Sequence, residues 1–187
     1  MTLPSLDQRI HTLREQGVHT VMATFTDLHG VPKGKLLPLE ALPDAVAVGA
    51  GFAGPSIWGT GLPRMGARSE YFGRVVPESL RPLPWLPGVA HAVCDGFAGG
   101  EPLETCSRQL LKRQLGRLRE RGWTFHVGIE PEFFLLRRGE DGRWGVADGE
   151  DRLGKPSYDL QAIVRNHGFL DDMRRHLGAL GFELQQM

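Results

Sequence analysis

The chain has 187 residues, 22 basic and 22 acidic side chains, and a formal net charge of zero. That length holds one domain or two small ones with a buried core, and the balanced charge argues against a nucleic-acid binder working through a general field, while leaving a local basic groove open. No apolar run approaches the roughly 20 residues that span a bilayer, the N-terminus MTLPSLDQRIHTLREQG has no signal-type apolar core, and Cys94 and Cys106 are too few for a disulfide framework and lack metal-type spacing. The expectation is a soluble, cytoplasmic protein with neither nucleic acid nor membrane as partner.

Taken in chain order, Ser5 with Gln8 three positions later predicts a capping box opening a first helix. Leu6, Ile10 and Leu13 form its apolar face, and Gly17 ends it. Val21, Ala23 and Phe25 alternate with Met22, Thr24 and Thr26, the pattern of a half-buried strand. His29-Gly30 turns the chain, and Val31 to Leu37 returns as a second strand. Gly and Pro cluster from 49 to 103, which predicts long loops with short strands near Tyr71–Val76 and Val89–Cys94. The prolines of RPLPWLP predict an extended connector. Leu111, Leu115 and Leu118 recur at helical spacing between Cys106 and Arg121, and Gly122 closes that helix.

Thr124 to Arg138 (TFHVGIEPEFFLLRR) is the strongest strand pattern in the chain. Asp159 can cap a long last helix in which Ile163, His167, Leu170, Met173, Leu177 and Leu180 form a stripe ended by Gly181. Phe182 to Gln186 alternate again, so a strand begins where the sequence stops. A natural terminus more often frays in polar residues, and a cut chain is expected. The fold class expected is α+β, with a change of domain near residue 104.

A period of two places His126, Gly128, Glu130 and Glu132 on one face of the strand. Glu130 and Glu132 would stand ~6.6 Å apart at Cα and repel by about 2 kcal/mol at an effective dielectric near 20. Enclosed, such a pair needs cations. Magnesium and manganese favour carboxylate oxygens and commonly gather phosphate oxygens as well. On pattern alone, an E-x-E strand is more often a solvated sheet face, although Phe134 on the same face weakens that reading.

GIEPEFFL resembles the metal-binding strand of the glutamine synthetase family. Four further segments agree, in the family's order: FTDLHGVPKGKLLP resembles its N-terminal β-grasp hairpin, GFAGPSIWG its Phe-Asp-Gly-Ser-Ser-type loop, KPSYDLQAIVR the segment before the next catalytic strand, and FLDDMRRHLGALGFELQQ the helix leading into that strand. GAGFAG with KPSYDLQAIVR is most similar to the branch of type III-like glutamine synthetases and γ-glutamylmethylamide synthetases.

The resemblance implies a β-grasp domain over residues 1–104 and the incomplete start of the catalytic α/β domain over 105–187. It implies an ATP-dependent, ADP-forming ligase of nitrogen metabolism that condenses glutamate with ammonia or a small amine through γ-glutamyl phosphate, with Mg2+ or Mn2+ neutralising the transferring phosphoryl group. By the same analogy Glu132 binds the metal nearest glutamate and Glu130 the one nearest the ATP phosphates. Tyr158 is a nucleotide- or substrate-contact candidate. The complete protein would be a homo-oligomer, usually of twelve subunits, with sites shared between neighbours. Further metal ligands lie beyond this chain in the family pattern, so this polypeptide alone is expected to be inactive.

One departure bears on the substrate. Where ammonia-using members carry an aspartate that helps bind ammonium, this sequence has Ala53, which can neither attract a cation nor accept a proton. A small alkylamine, or replacement of the aspartate by another residue such as Glu70, is the expectation. The alternative is a non-catalytic binding or assembly protein of the same fold, in which Glu130 and Glu132 sense a ligand or are merely solvated.

The remaining polar residues have simpler readings. Asp27 precedes a turn and is expected to bond local backbone. Lys33 and Lys35 are expected to be solvated, and His126 to be a hydrogen-bonded neighbour. Trp58, Trp85 and Trp144 are expected to pack. GAGFAG lacks the Lys-Ser/Thr ending of a P-loop and the strand-to-helix setting of a dinucleotide site.

Overall fold

Helix α1 (Leu6–Glu15) begins at the predicted capping box. The Ser5 hydroxyl accepts from the Gln8 N–H at 3.2 Å, and the Gln8 side chain takes the Ser5 N–H at 2.8 Å. Two backbone donors that the first turn leaves free are thereby satisfied. Leu13 is buried, Leu6 and Ile10 pack beside it, and Gly17 leaves the helix at φ +78°. The computed structural model describes residues 3–66 and 68–185; the predicted strand end at Gln186 lies outside them.

Strands β1 (Thr20–Thr26) and β2 (Pro32–Pro38) form the predicted antiparallel hairpin, with Val21, Ala23 and Phe25 buried on one face of β1. Helix α2 (Leu42–Ala47), β3 (Ala50–Ala53), β4 (Glu70–Val75), the short β5 (Arg81–Pro82), β6 (Val89–Ala98), the short β7 (Glu101–Pro102) and α3 (Ser107–Glu120) follow. The sheet runs β2-β1-β6-β4-β3, with β5 and β7 also paired to β6. Only the β1–β6 pairing is parallel among the described strands. RPLPWLP is therefore extended in part: Arg81 and Pro82 join the sheet, and the chain then turns back through Leu86 N–H to the Leu83 carbonyl.

The core lies between α1, α2 and this sheet. Its centre is aromatic, with Tyr71 at 4.4 Å from Phe25 and 6.0 Å from Phe52, ring centre to ring centre. Cys94 and Cys106 are free and buried, and burial pushes the Cys94 thiol up to about 12, so it is a packing residue at neutral pH. Asp95 is the charged exception in β6. The Arg108 Nε donates to its Oδ1 at 3.0 Å, the Lys112 ammonium contacts Oδ2, and the buried Gln109 side chain donates to the Gly96 carbonyl. These contacts fasten one face of α3 to β6, since residues 108 and 112 are a helical turn apart.

The chain divides into two units, residues 1–125 and 126–187. The second holds a hairpin of β8 (Leu136–Arg138) and β9 (Trp144–Val146), then helices α4 (Leu160–Arg165) and α5 (His167–Ala179). Asp159 caps α4, its carboxylate accepting from the N–H groups of Gln161 and Ala162. The single long helix predicted here is broken at Asn166. Its side chain donates to the Ala162 carbonyl and to Asp148, offering the backbone an alternative to continuing the helix. Gly181 ends α5 at φ +89°.

Two strand predictions fail in the second half. Of Thr124–Arg138 only Leu136–Arg138 joins a ladder, and Phe182–Gln185 joins none. Extended chain becomes a strand by pairing, and 124–135 joins no ladder among the described residues; its contacts are single ones, the Ala147 N–H on the Leu135 carbonyl and the Phe133 ring 5.9 Å from that of Phe169. Its apolar residues are consequently in solvent, Ile129 at 82% and Phe134 at 90%. Trp58, Trp85 and Trp144 are each more than half exposed, and Trp58 meets the His29 ring edge-on at 5.4 Å. Among the described residues no helix is long and apolar enough to cross a membrane.

Asp148 ties the hairpin to α4, accepting from Arg165 Nε at 3.0 Å and from Asn166. Burial raises its carboxyl pKa, but Arg165, the Glu150 N–H and Asn166 outweigh it and hold the group below its ordinary 3.8. A carboxyl depressed by folding stabilises above its unfolded value and loses that contribution as pH falls through the folded one. The stability difference between wild type and Asp148→Asn is thus expected to be full near neutrality and to shrink below about pH 4, read from urea midpoints across pH.

Candidate functional site

β3 and β4 pair antiparallel with Ala53 directly opposite Glu70. The two residues, 17 apart in sequence, thereby border one open cavity of about 620 Å³ together with Lys35, Phe52, Ser56 and Arg64. A G-rich strand suits this place, since Gly51 and Gly54 bring backbone to the rim: a Cβ on Gly54 would lie 2.7 Å from the Ser69 carbonyl. Lys35 is exposed, and its ammonium donates to the Gly51 carbonyl and stands 5.1 Å from the centre of the Phe52 ring. Lys33, its side chain 38% exposed, pairs with Asp27 at 3.6 Å. Asp27 makes the local backbone bonds expected, from the N–H groups of His29 and Val31.

The cavity thus carries two cations, one carboxylate and two serine hydroxyls around a site where residue 53 supplies only a methyl group. Sequence pattern singled out Ala53 and Glu70 and missed Lys35, Arg64, Ser56 and Ser69. No local signal marks these four: Lys35 comes from β2 and reaches the cavity through the Gly51 carbonyl, and Ser56, Arg64 and Ser69 come from the connection between β3 and β4.

In the second unit Glu130 and Glu132 lie on the exposed, unpaired stretch, and His126 is exposed there as well. Carboxylate oxygens are the donors that hard divalent cations take. A closed site needs more of them, and among the described residues no group of three His, Cys, Asp or Glu side chains comes together. The donor chemistry fits a divalent metal and the donor number falls short, so no step is assigned to this chain through one.

Tyr158, just before the Asp159 cap, has φ +65° and is 97% exposed. A non-glycine residue in the left-handed region costs of order 1–3 kcal/mol and clusters at functional positions.

Sequence and fold place these features together in one family. The family model described as the catalytic domain of glutamine synthetase matches residues 104–187. A glutamate–methylamine ligase of Methyloversatilis universalis is 41% identical over 176 residues, 94% of this chain and 39% of its own. A glutamine synthetase of Rhizobium meliloti is 34% identical over 173 residues, 92% of this chain and 38% of its own. A solved GmaS–ADP complex superposes with a TM-score of 0.78 at 29% identity, covering 95% of this chain and 40% of that one. The chain belongs to the glutamine synthetase family. It spans about two fifths of the length of the curated relatives it matches.

Proposed function

We propose that this chain supplies the amine-side wall and the first metal-binding segment of an ATP-dependent ligase that joins glutamate to a small amine. The carrying observation is the register that sets Ala53 against Glu70 on one cavity, supported by the 41% identity to a glutamate–methylamine ligase. The mixed sheet with α1 is read as the family's β-grasp domain. Without an aspartate at 53, the cavity's carboxylate is Glu70, offset by one strand spacing of roughly 5 Å. That leaves room beside the amine nitrogen for an alkyl group, which ammonia does not need.

On this reading Glu130 and Glu132 contribute carboxylates to Mg2+ or Mn2+, whose chemistry is to neutralise phosphoryl charge when bound, and Tyr158 contacts nucleotide or substrate. The remaining ligands come from sequence that the relatives carry over their greater length. A ring assembly, as in the family, is part of the same proposal. A non-catalytic binder is the second reading, favoured by the exposure of both glutamates and the missing third donor.

The test uses a protein of the relatives' full length with ATP, glutamate and a panel of amines. Methylamine is expected to be preferred to ammonia. Ala53→Asp is expected to move the ratio of kcat/KM for methylamine over ammonia toward ammonia by about tenfold, the effect of ~1.4 kcal/mol of differential binding. An unchanged ratio would sink the assignment of the loop, and absence of glutamate-dependent ADP formation with every amine would favour the binder.

A further inference from the structure

Thr60 is not among the residues that line the Ala53–Glu70 cavity, yet the bonds of the loop that follows Ala53 converge on it. It is 8% exposed. Its hydroxyl donates to the Gly54 carbonyl at 2.7 Å, with the Ile57 carbonyl at 3.2 Å, and accepts from the Leu62 N–H at 3.4 Å. Its own carbonyl accepts from the Thr105 hydroxyl at 2.9 Å. A buried hydroxyl is satisfied when its donor and an acceptor site are both engaged. This one engages them at residues 54 and 62, on either side of the loop.

Gly54 is the residue so held. It is buried, and it opens the short turn Gly54–Ser56, its carbonyl also accepting from the Ile57 N–H at 3.1 Å. Its own N–H donates to the Ser69 carbonyl at 3.0 Å. A Cβ there would lie 2.5 Å from the Leu62 side chain and 2.7 Å from the Ser69 carbonyl, so the bare backbone fills its slot. Ala53 on one flank, and Pro55 and Ser56 on the other, line the cavity, as do Ser69 and Glu70 across from them. The placing of Gly54 therefore sets where that wall stands relative to Glu70.

We infer that Thr60 is a positioning residue for the amine site, its hydroxyl acting through the Gly54 carbonyl to fix the Ala53–Ser56 wall against Glu70. On the ligase reading, on which this inference rests, that wall meets the amine, so a displacement of it registers in amine binding first. Valine has the shape of threonine with a methyl group in place of the hydroxyl. A methyl carbon cannot stay 2.7 Å from a carbonyl oxygen, because carbon–oxygen contacts need about 3.3 Å. The Gly54 peptide would have to yield by roughly half an ångström, and a misplacement of about 1 Å can cost a hundredfold. Serine keeps the hydroxyl and loses only the other methyl group.

The experiment is steady-state kinetics on a protein of the relatives' full length, with ATP, glutamate and methylamine each varied in turn. Thr60→Val is expected to raise KM for methylamine at least about tenfold while KM for ATP and for glutamate stays within about twofold. Thr60→Ser should bring the methylamine KM back to within about threefold of wild type. Ser79→Ala controls for the loss of a hydroxyl bridge as such. Ser79 likewise donates to a carbonyl, that of Val76, and accepts from an N–H, that of Val93, outside the cavity lining. Its loss should lower the urea midpoint and leave the methylamine KM in place. Should Thr60→Val not fold, Thr60→Ala, which removes the hydroxyl without the clash, must show the amine-selective rise. A wild type that forms no glutamate-dependent ADP with any amine would bring down the ligase reading and this inference together. With an active wild type, an unchanged methylamine KM in Thr60→Val, an equal rise for all three substrates, no restoration by serine, or the same rise in Ser79→Ala would overturn the inference alone.

Discussion

Replacing Tyr71 by alanine is expected to remove about 3–5 kcal/mol from the stability of the first unit, a large share of what a domain of this size possesses. The side chain is 2% exposed and wedged between Phe25 and Phe52. A Cβ at Gly96, on the neighbouring strand, would come within 2.6 Å of the Tyr71 ring and 2.9 Å of Cys106. Packing this close on the Gly96 side limits relaxation there, and the cavity term adds to the lost transfer term. Tyr71→Phe separates packing from polarity. The hydroxyl meets only the Cys106 sulfur, at 3.9 Å, so phenylalanine should cost less than about 1 kcal/mol. Urea unfolding of both variants decides the matter: near-equal midpoints for alanine and phenylalanine would mean that the hydroxyl, and not the ring, holds the core.

In a protein of the relatives' full length, Glu132→Gln is expected to lower turnover at least about 100-fold, and Glu130→Gln to do so to a similar degree. Glutamine keeps the size and loses the charge. Outer-sphere partners of metals alone are worth about 10–100-fold, so a direct ligand should exceed them. A solvated surface pair would predict nothing of the kind, because exposed charges contribute little. The readout that separates the two is the dependence of rate on magnesium or manganese concentration. Each variant should need more metal for half-maximal rate as well as turning over more slowly. Wild-type turnover at wild-type metal demand would return both glutamates to the solvated reading.

Local signals were read correctly at most places where the cause was local; Asn166, whose side chain bonds the Ala162 carbonyl one turn back and breaks the last helix, is the exception. The Ser5–Gln8 box, the alternation of Val21, Ala23 and Phe25, the Asp159 cap and the glycine stops at 17 and 181 each depend on residues within one turn or one hairpin. What else escaped carried little local signal or depended on partners far along the chain. Helix α2 opens with a proline in its first turn and is only six residues long, too short for periodicity to register. Strand β3 is Ala-Gly-Phe-Ala, poor in the β-branched residues that announce a strand. Asp95 carried a usable clue, a lone acid in an apolar run, which calls for a paired cation; the identity of Arg108 and Lys112 as that pair required the docking of α3. At 124–135 the pattern is present and the pairing absent, which shows that alternation records a tendency and a neighbour is needed to realise it. The cavity by Ala53 was legible at two positions, through the family's loop, and its cations, Lys35 from β2 and Arg64 from the loop before β4, became visible only in the folded chain.

The parallel match between β1 and β6 has a consequence for how this protein is made. Thr24 lies beside Val93, so the inner edge of the first hairpin waits for a segment translated nearly seventy residues later. At a synthesis rate of about 5–20 residues per second that is a delay of several seconds. During it the buried face of β1 and its free edge emerge from the ribosome uncovered, an open template for other nascent chains. Newly made protein should for that interval depend on holding chaperones, and slowing translation before codon 89 should lower soluble yield without altering the folded product.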